Sequence, residues 1–323
     1  MYRIGIDLGG TNIAAGIVDE TGRLMAKRSE PTGLPKAAQA LAQDIRELAG
    51  RLLEENGLDF KQVRSAGIGI PGTVNQENGS VEYANNFGFE QVPFVNMLRA
   101  LFPCPLYAEN DAKAAAWGEY RYGAGRGVSS LLAVTLGTGV GGGLILDGKI
   151  WEGFNGAAGE IGHMVIRRGG RPCTCGRRGC LEAYASASAL CALAKERAGQ
   201  TPDSMLNLSC GGDLEKLNGR AVFDCADQGD PAAAAVLDEF LDSLAEGVAN
   251  LVNILQPEAV LIGGGLSGAG DQLLLPLKEK AYPLFYSRLS EKNPEILLAE
   301  LGNDAGIIGA AVLEEAKADS GAR

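Results

Sequence analysis

Asp7-Leu8-Gly9-Gly10-Thr11-Asn12 lies between two short β-rich runs, Tyr2 to Ile6 and Asn12 to Val18. Glycine lets a backbone come close to a ligand, and the N–H groups of a turn form a nest for an anion. Thr11 adds a hydroxyl donor. Asp7, at a strand end, is placed to hold Mg²⁺ directly or through water. The plainer reading of the same residues is a tight hairpin turn. No Gly-Lys-Ser/Thr follows, so this is not a Walker A loop. Nor does the strand–turn–strand context fit a dinucleotide fingerprint.

The same arrangement recurs. Ser129 to Leu136 is an apolar strand, Gly137-Thr138-Gly139-Val140-Gly141-Gly142-Gly143 turns the chain, and Val140 to Leu146 is a strand before the hairpin turn Asp147-Gly148. Two similar turns, each carrying Thr, favour phosphate binding over mere chain reversal and suggest a weak internal repeat, one unit per domain. Gly127 to Leu146 is also a run of 20 uncharged residues, nominally long enough to span a bilayer. Its six glycines and several hydroxyl residues favour two buried strands around a loop.

Outward from the first turn, Arg23 to Arg28 completes a meander. Lys36 to Glu55 carries Leu41, Ile45, Leu48 and Leu52 at helical spacing, and Ser65 to Ile70 is a strand closed by Pro71-Gly72. Asp230-Pro231 starts a helix that runs to Leu255. Ala259 to Ile262 is a buried strand feeding Gly263-Gly264-Gly265, and a helix follows from about Asp271. Glu295 to Leu301 reads as a strand and Gly306 to Lys317 as a final helix.

The 323 residues suggest two domains. With 29 basic and 40 acidic side chains the net charge is −11, which repels phosphate backbones and disfavours nucleic acid as a partner. No secretory signal is visible, because Asp7 interrupts the apolar start. The expectation is a cytoplasmic protein with no membrane partner. There clustered cysteines are metal ligands or reactive thiols before they are disulfides. Glycine, at 46 residues, is about twice its average share of ~7% and needs a local reason.

The two turns together resemble the phosphate loops of the actin–hexokinase–Hsp70 superfamily. That resemblance implies an α/β chain of two ribonuclease-H-like domains with an interdomain cleft that closes over ATP. It implies ATP contacts from Asp7, Gly9, Gly10, Thr11 and Asn12, and from Gly137, Thr138 and Gly139. It also implies that Gly263, Gly264 and Gly265 lie against the adenosine. The join is expected near Gly123 to Gly127. One domain would then comprise residues 1–122 plus about 304–323, and a larger one residues 123–303.

One histidine, His163, stands ten residues before Cys173-Thr174-Cys175-Gly176-Arg177-Arg178-Gly179-Cys180. Three thiolates and an imidazole make a Cys₃His set that Zn²⁺ favours in closed, structural sites. A redox-active Cys-x-Cys pair is the alternative. The other four cysteines, Cys104, Cys191, Cys210 and Cys225, are scattered and read as small apolar residues.

The spacing from His163 to Cys180 and Glu182, with Pro71-Gly72, Glu109-Asn110-Asp111-Ala112 and the Gly137 turn in order, closely resembles the signature of the ROK family of repressors, open reading frames and sugar kinases. The resemblance implies an ATP- and Mg²⁺-dependent hexose kinase, glucose first, with Asp111 as general base. Capping of the helix that opens there is the plainer role for that aspartate. The resemblance also implies a sugar pocket lined by Asn110, Asp111, Glu160, His163 and Glu182, joined by Asn86 and Gly72. Solvated surface charge is the bland alternative for Glu160 and Glu182. Asn85-Asn86-Phe87 departs from the family's usual Pro-Asn-Leu, so Asn86 rests on an alignment of one position. A homodimer or homotetramer is implied as well.

Within the family, kinases for N-acetylglucosamine, N-acetylmannosamine, allose and fructose are the alternatives. The intact Cys₃His set argues mildly against fructose. Polyphosphate or ADP as donor would leave the same loops. A sugar-responsive repressor would carry a winged helix before the first loop. The six residues ahead of Asp7 and the negative charge count against it.

Overall fold

The alternating start of the chain folds as a meander of β1 (Tyr2–Leu8), β2 (Asn12–Val18) and β3 (Leu24–Pro31). The helix α1 (Ala38–Glu55) buries the periodic Leu41, Ile45, Leu48 and Leu52, and β4 (Val63–Ile70) follows. Three short strands, β5 (Thr73–Asn75), β6 (Ser80–Ala84) and β7 (Phe89–Val92), form a separate sheet in that order. Then come α2 (Phe94–Leu101), β8 (Leu106–Asn110) and α3 (Asp111–Tyr122). The main sheet runs β3-β2-β1-β4-β8, with β1, β4 and β8 parallel. Asp7 pairs with Gly69, and Ile70 with Asn110. The carboxyl ends of three parallel strands therefore share one edge, the place where open α/β sheets bind ligands. Ile4, Ile6, Leu8 and Ile17 pack with the inner face of α1 into one hydrophobic core.

The uncharged run is β9 (Leu131–Leu136), the glycine turn and β10 (Val140–Leu146), followed by β11 (Lys149–Ile150). Among the described residues no helix is long and apolar enough to cross a membrane. Next come α4 (Glu182–Ala185), α5 (Ala187–Gln200), α6 (Met205–Ser209), α7 (Gly219–Asp227) and α8 (Pro231–Leu255). The last strands are β12 (Ala259–Gly263) and, after α9 (Asp271–Ala281), β13 (Glu295–Leu298). The second sheet is ordered β11-β10-β9-β12-β13. β13 stops at Leu298, short of the expected Leu301. Its partner β12 ends at Gly263, and the Ala299 amide makes its bond to the Ile262 carbonyl.

The closing helix is also interrupted. It forms α10 (Ala305–Ala311) and α11 (Leu313–Ala318), broken at Val312. The buried Trp117 indole donates to the Val312 carbonyl at 3.1 Å, taking an acceptor at the break. Close approach explains much of the glycine excess. A methyl on Gly309 of α10 would lie 1.7 Å from the Ala114 carbonyl oxygen of α3. One on Gly67 of β4 would lie 1.8 Å from the Ala310 carbonyl oxygen of α10.

The computed structural model describes residues 1–318 and divides into two compact units. The first holds Met1–Leu132, Gly143–Gly159 and the chain from Asn303; the second holds Ala133–Gly142 and Glu160–Gly302. Sequence placed residues 123–132 in the second domain, and likewise the segment Gly143–Gly159. The ties of that segment run to α3 instead: a methyl on Gly143 would lie 2.3 Å from the Ala116 side chain, and the Lys113 ammonium donates to the Gly156 carbonyl at 2.6 Å.

Candidate active site

In the first unit the turn after β1 is held from within. The Gly9 amide donates to the Asn12 carbonyl at 2.9 Å, the buried Thr32 hydroxyl to the Gly9 carbonyl at 2.7 Å, and the Thr32 amide to the Thr11 carbonyl at 2.8 Å. Gly10, Thr11 and Asn12 are left exposed. Asn86 sits beside this turn: a methyl on Gly10 would touch its side chain at 3.7 Å.

Asp7 lies at the end of β1. Burial, and then the negative charge of Asp111, push its carboxyl up to about 6. A carboxyl whose proton affinity is raised by burial and by a neighbouring carboxylate suits a cation, which would favour its ionised form. Asp7 therefore fits a role in holding Mg²⁺. Asp111 opens α3, but the helix cap is its neighbour. The Asn110 side-chain oxygen accepts the Lys113 amide at 3.1 Å, and its side-chain nitrogen donates to the Gly72 carbonyl at 3.1 Å. The Asp111 carboxylate accepts the adjacent Ala112 amide at 2.9 Å.

Beneath this turn lies a buried charge network that sequence reasoning missed. Glu109 and Lys113 are each 2% exposed. One Glu109 oxygen accepts the Asn110 amide at 3.0 Å, and the other accepts the Lys317 ammonium at 2.7 Å and the Gln76 amide at 3.3 Å. Lys317 also donates to Glu152. Burial pulls the Lys317 ammonium down, but Glu109 and Glu152 outweigh it and hold its pKa above the usual range. The only sequence signal was the isolated charge of Glu109 at the end of an apolar strand.

In the second unit the four metal-ligand candidates converge. His163, Cys173, Cys175 and Cys180 place one ligand atom each within 4.8 Å of one another. Cys175 Sγ and Cys180 Sγ are 3.7 Å apart, and Cys173 Sγ lies 3.5 Å from His163 Nδ1. A tetrahedral Zn²⁺ with metal–sulfur bonds of ~2.3 Å has sulfur–sulfur edges of about 3.8 Å and sulfur–nitrogen edges of about 3.5 Å. The set fits zinc, which would fix the loop and leave no open position. Burial pushes the Cys180 thiol up to about 12, whereas the Arg177 amide holds Cys175 below its ordinary value. With Nδ1 turned to the sulfurs, His163 Nε2 lies 4.0 Å from the Glu160 carboxylate. The loop is strapped to α8: Arg167 and Arg171 flank the Tyr184 ring at 4.7 and 5.1 Å, and both reach Glu239.

The second glycine turn closes on itself, the Gly137 amide donating to the Gly139 carbonyl at 3.0 Å. Thr138 is exposed. The Ala187 amide, opening α5, donates to the Gly137 carbonyl at 2.9 Å. Glu182 meets the turn from the other side: its Oε2 accepts the Val140 amide at 3.1 Å, while Oε1 accepts the Thr174 hydroxyl at 3.0 Å. Gly263 ends β12. Gly264, at φ +81°, packs on the backbone of Leu136, one residue before the turn, and Gly265 opens a 3₁₀ turn.

A family model described as the ROK family matches residues 3–317. A glucokinase of Halalkalibacterium halodurans is 38% identical over 312 residues, covering 95% of this chain and 93% of the relative. A Thermotoga maritima glucokinase is 38% identical, covering 95% of each. A Streptomyces griseus ROK family glucokinase, solved in complex with glucose and AMPPNP, aligns with a TM-score of 0.86 at 36% identity. That match covers 97% of this chain and 99% of that one.

Proposed function

The chain belongs to the ROK family, and from that premise we propose that it transfers the γ-phosphoryl group of ATP to glucose, giving glucose 6-phosphate and ADP. The observation that carries the reading is a near-full-length likeness to glucokinases in a chain that keeps Asp7, Asp111 and both glycine turns.

Asp111 accepts the proton of the sugar 6-hydroxyl as that oxygen bonds to the γ-phosphorus. The bond from phosphorus to the bridging oxygen breaks, and ADP leaves with the electron pair. Such a transfer asks the protein mainly for positioning and charge stabilisation. Gly9 to Asn12 and Gly137 to Gly139 supply amides and hydroxyls to the phosphates, and Gly263 to Gly265 border the adenosine. When bound, Mg²⁺ neutralises charge on the phosphate oxygens, with Asp7 as its holder. Asn86, Asn110, Glu160, His163 and Glu182, with the Gly72 backbone, orient the sugar. His163 takes zinc at Nδ1 and keeps Nε2 for a hydroxyl. Cys173, Cys175 and Cys180 would hold zinc together with His163, a structural ion that would fix the loop presenting Glu160 and Glu182. A cytoplasmic homodimer or homotetramer completes the reading.

A coupled assay of ADP release tests it, run over glucose, fructose, allose, N-acetylglucosamine and N-acetylmannosamine, with ATP, ADP or polyphosphate as donor. The highest kcat/KM is expected for glucose with ATP. A higher value for an N-acetylhexosamine, or for polyphosphate, would overturn the assignment.

A further inference from the structure

Glu182 is assigned to the hexose by resemblance, but its contacts run to the other substrate's loop. Oε2 accepts the Val140 amide at 3.1 Å, at the point where the glycine turn enters β10. The turn is shaped to admit this carboxylate: a methyl on Gly139 would lie 2.3 Å from Glu182 Oε2. Oε1 is held by the Thr174 hydroxyl at 3.0 Å, with Cys173 Sγ at 3.7 Å, so the cysteine loop fixes the carboxylate from its far side. The Val140 carbonyl is enclosed as well: a methyl on Gly162, next to His163, would lie 2.2 Å from it. The backbone on both sides of Val140 is thus met by residues of the cysteine–histidine loop, Glu182 at its amide and Gly162 close against its carbonyl.

We propose that Glu182 is a positioning residue for the Gly137–Val140 turn, so that one carboxylate sets the phosphate-binding amides as well as meeting the hexose. The proposal rests on the reading of that turn as a phosphate loop. The two oxygens divide the work. Thr174 can yield Oε1 to a sugar hydroxyl while Oε2 keeps the Val140 amide. Glucose arrival then tightens or loosens the nucleotide turn through a single side chain, a coupling that must be reciprocal.

Nucleotide binding without any hexose separates this role from sugar binding. Calorimetric titration of Mg–ADP into the full chain is the measurement, with folding checked by thermal melting and by retained zinc content. Glu182→Ala is expected to weaken Mg–ADP binding on the order of tenfold. Glu182→Gln, which keeps an acceptor oxygen for the Val140 amide, should recover most of that loss. Gly139→Ala crowds the carboxylate off the amide and should weaken Mg–ADP similarly. Added to Glu182→Ala it should cost little more, since both remove one contact. Mg–ADP affinity in Glu182→Ala equal to the parent's, or additive losses in the double variant, would overturn the proposal with the phosphate reading intact. Failure of the parent chain itself to bind Mg–ADP would instead overturn the phosphate reading, and this proposal with it.

Discussion

Asp111 stands on a turn whose strength comes from its neighbours. Asn110 caps α3, and Glu109 holds the Asn110 amide while facing Lys317 and, at 4.0 Å, Lys113. Lys317→Met would leave Glu109 buried with one distant cation and free Glu152. A destabilisation of roughly 2–4 kcal/mol is expected in urea unfolding, the lower part because Glu152 is partly exposed. An unchanged midpoint would show that Lys113 and Gln76 suffice. The Glu109–Lys317 pair was not legible in the sequence, because the two are 208 positions apart and nothing local marks them as partners. The Cys₃His set was legible because its four ligands fall in one short stretch with glycines between them, and Thr32 was not because only the fold brings it under Gly9.

At the scale of elements, strong periodicity or a clear start signal marked α1, α8 and the β1–β2 and β9–β10 pairs in advance. The small sheet β5–β6–β7 gave no such signal. Its strands are three to five residues long and separated by Asn- and Gly-rich turns, too short for alternation to register. The closing helix was read as continuous because its Ala-rich sequence does not reveal that the Trp117 indole takes the Val312 carbonyl. The start of α8 does have a legible cause. Asp230 accepts the Ala232 and Ala233 amides at 2.8 Å each, and the Ser204 hydroxyl at 2.9 Å. Burial alone would raise its carboxyl, but these donors together hold it below the ordinary carboxylate value. A lowered pKa in the fold means stability that is present above the unfolded value and lost as pH falls through the folded one. Asp230→Asn should therefore be less stable than the parent at neutral pH, by about 1–2 kcal/mol. The gap should close in acid, below about pH 4. Denaturant midpoints at both pH values check this, and a gap that stays constant with pH would contradict it.

At the scale of the whole molecule, the net charge of −11 pointed away from nucleic acid, and the two glycine turns toward a phosphate-bearing ligand. Family likeness over nearly the whole chain then narrowed the class to sugar kinases. The glycine excess has two sources: the turns after β1 and β9, and the close packing of α10 on α3 and β4. Only the first was visible beforehand, because helix-to-helix contact depends on residues nearly 200 positions apart.

The central claim is that Asp111 removes the proton from glucose as ATP delivers its phosphoryl group. Single-turnover transfer from ATP to glucose in Asp111→Ala, with glucose affinity measured separately by calorimetry, tests it most directly. A transfer rate lower by roughly 10²–10⁴-fold is expected, with glucose still bound. Transfer at the parent's rate would contradict it.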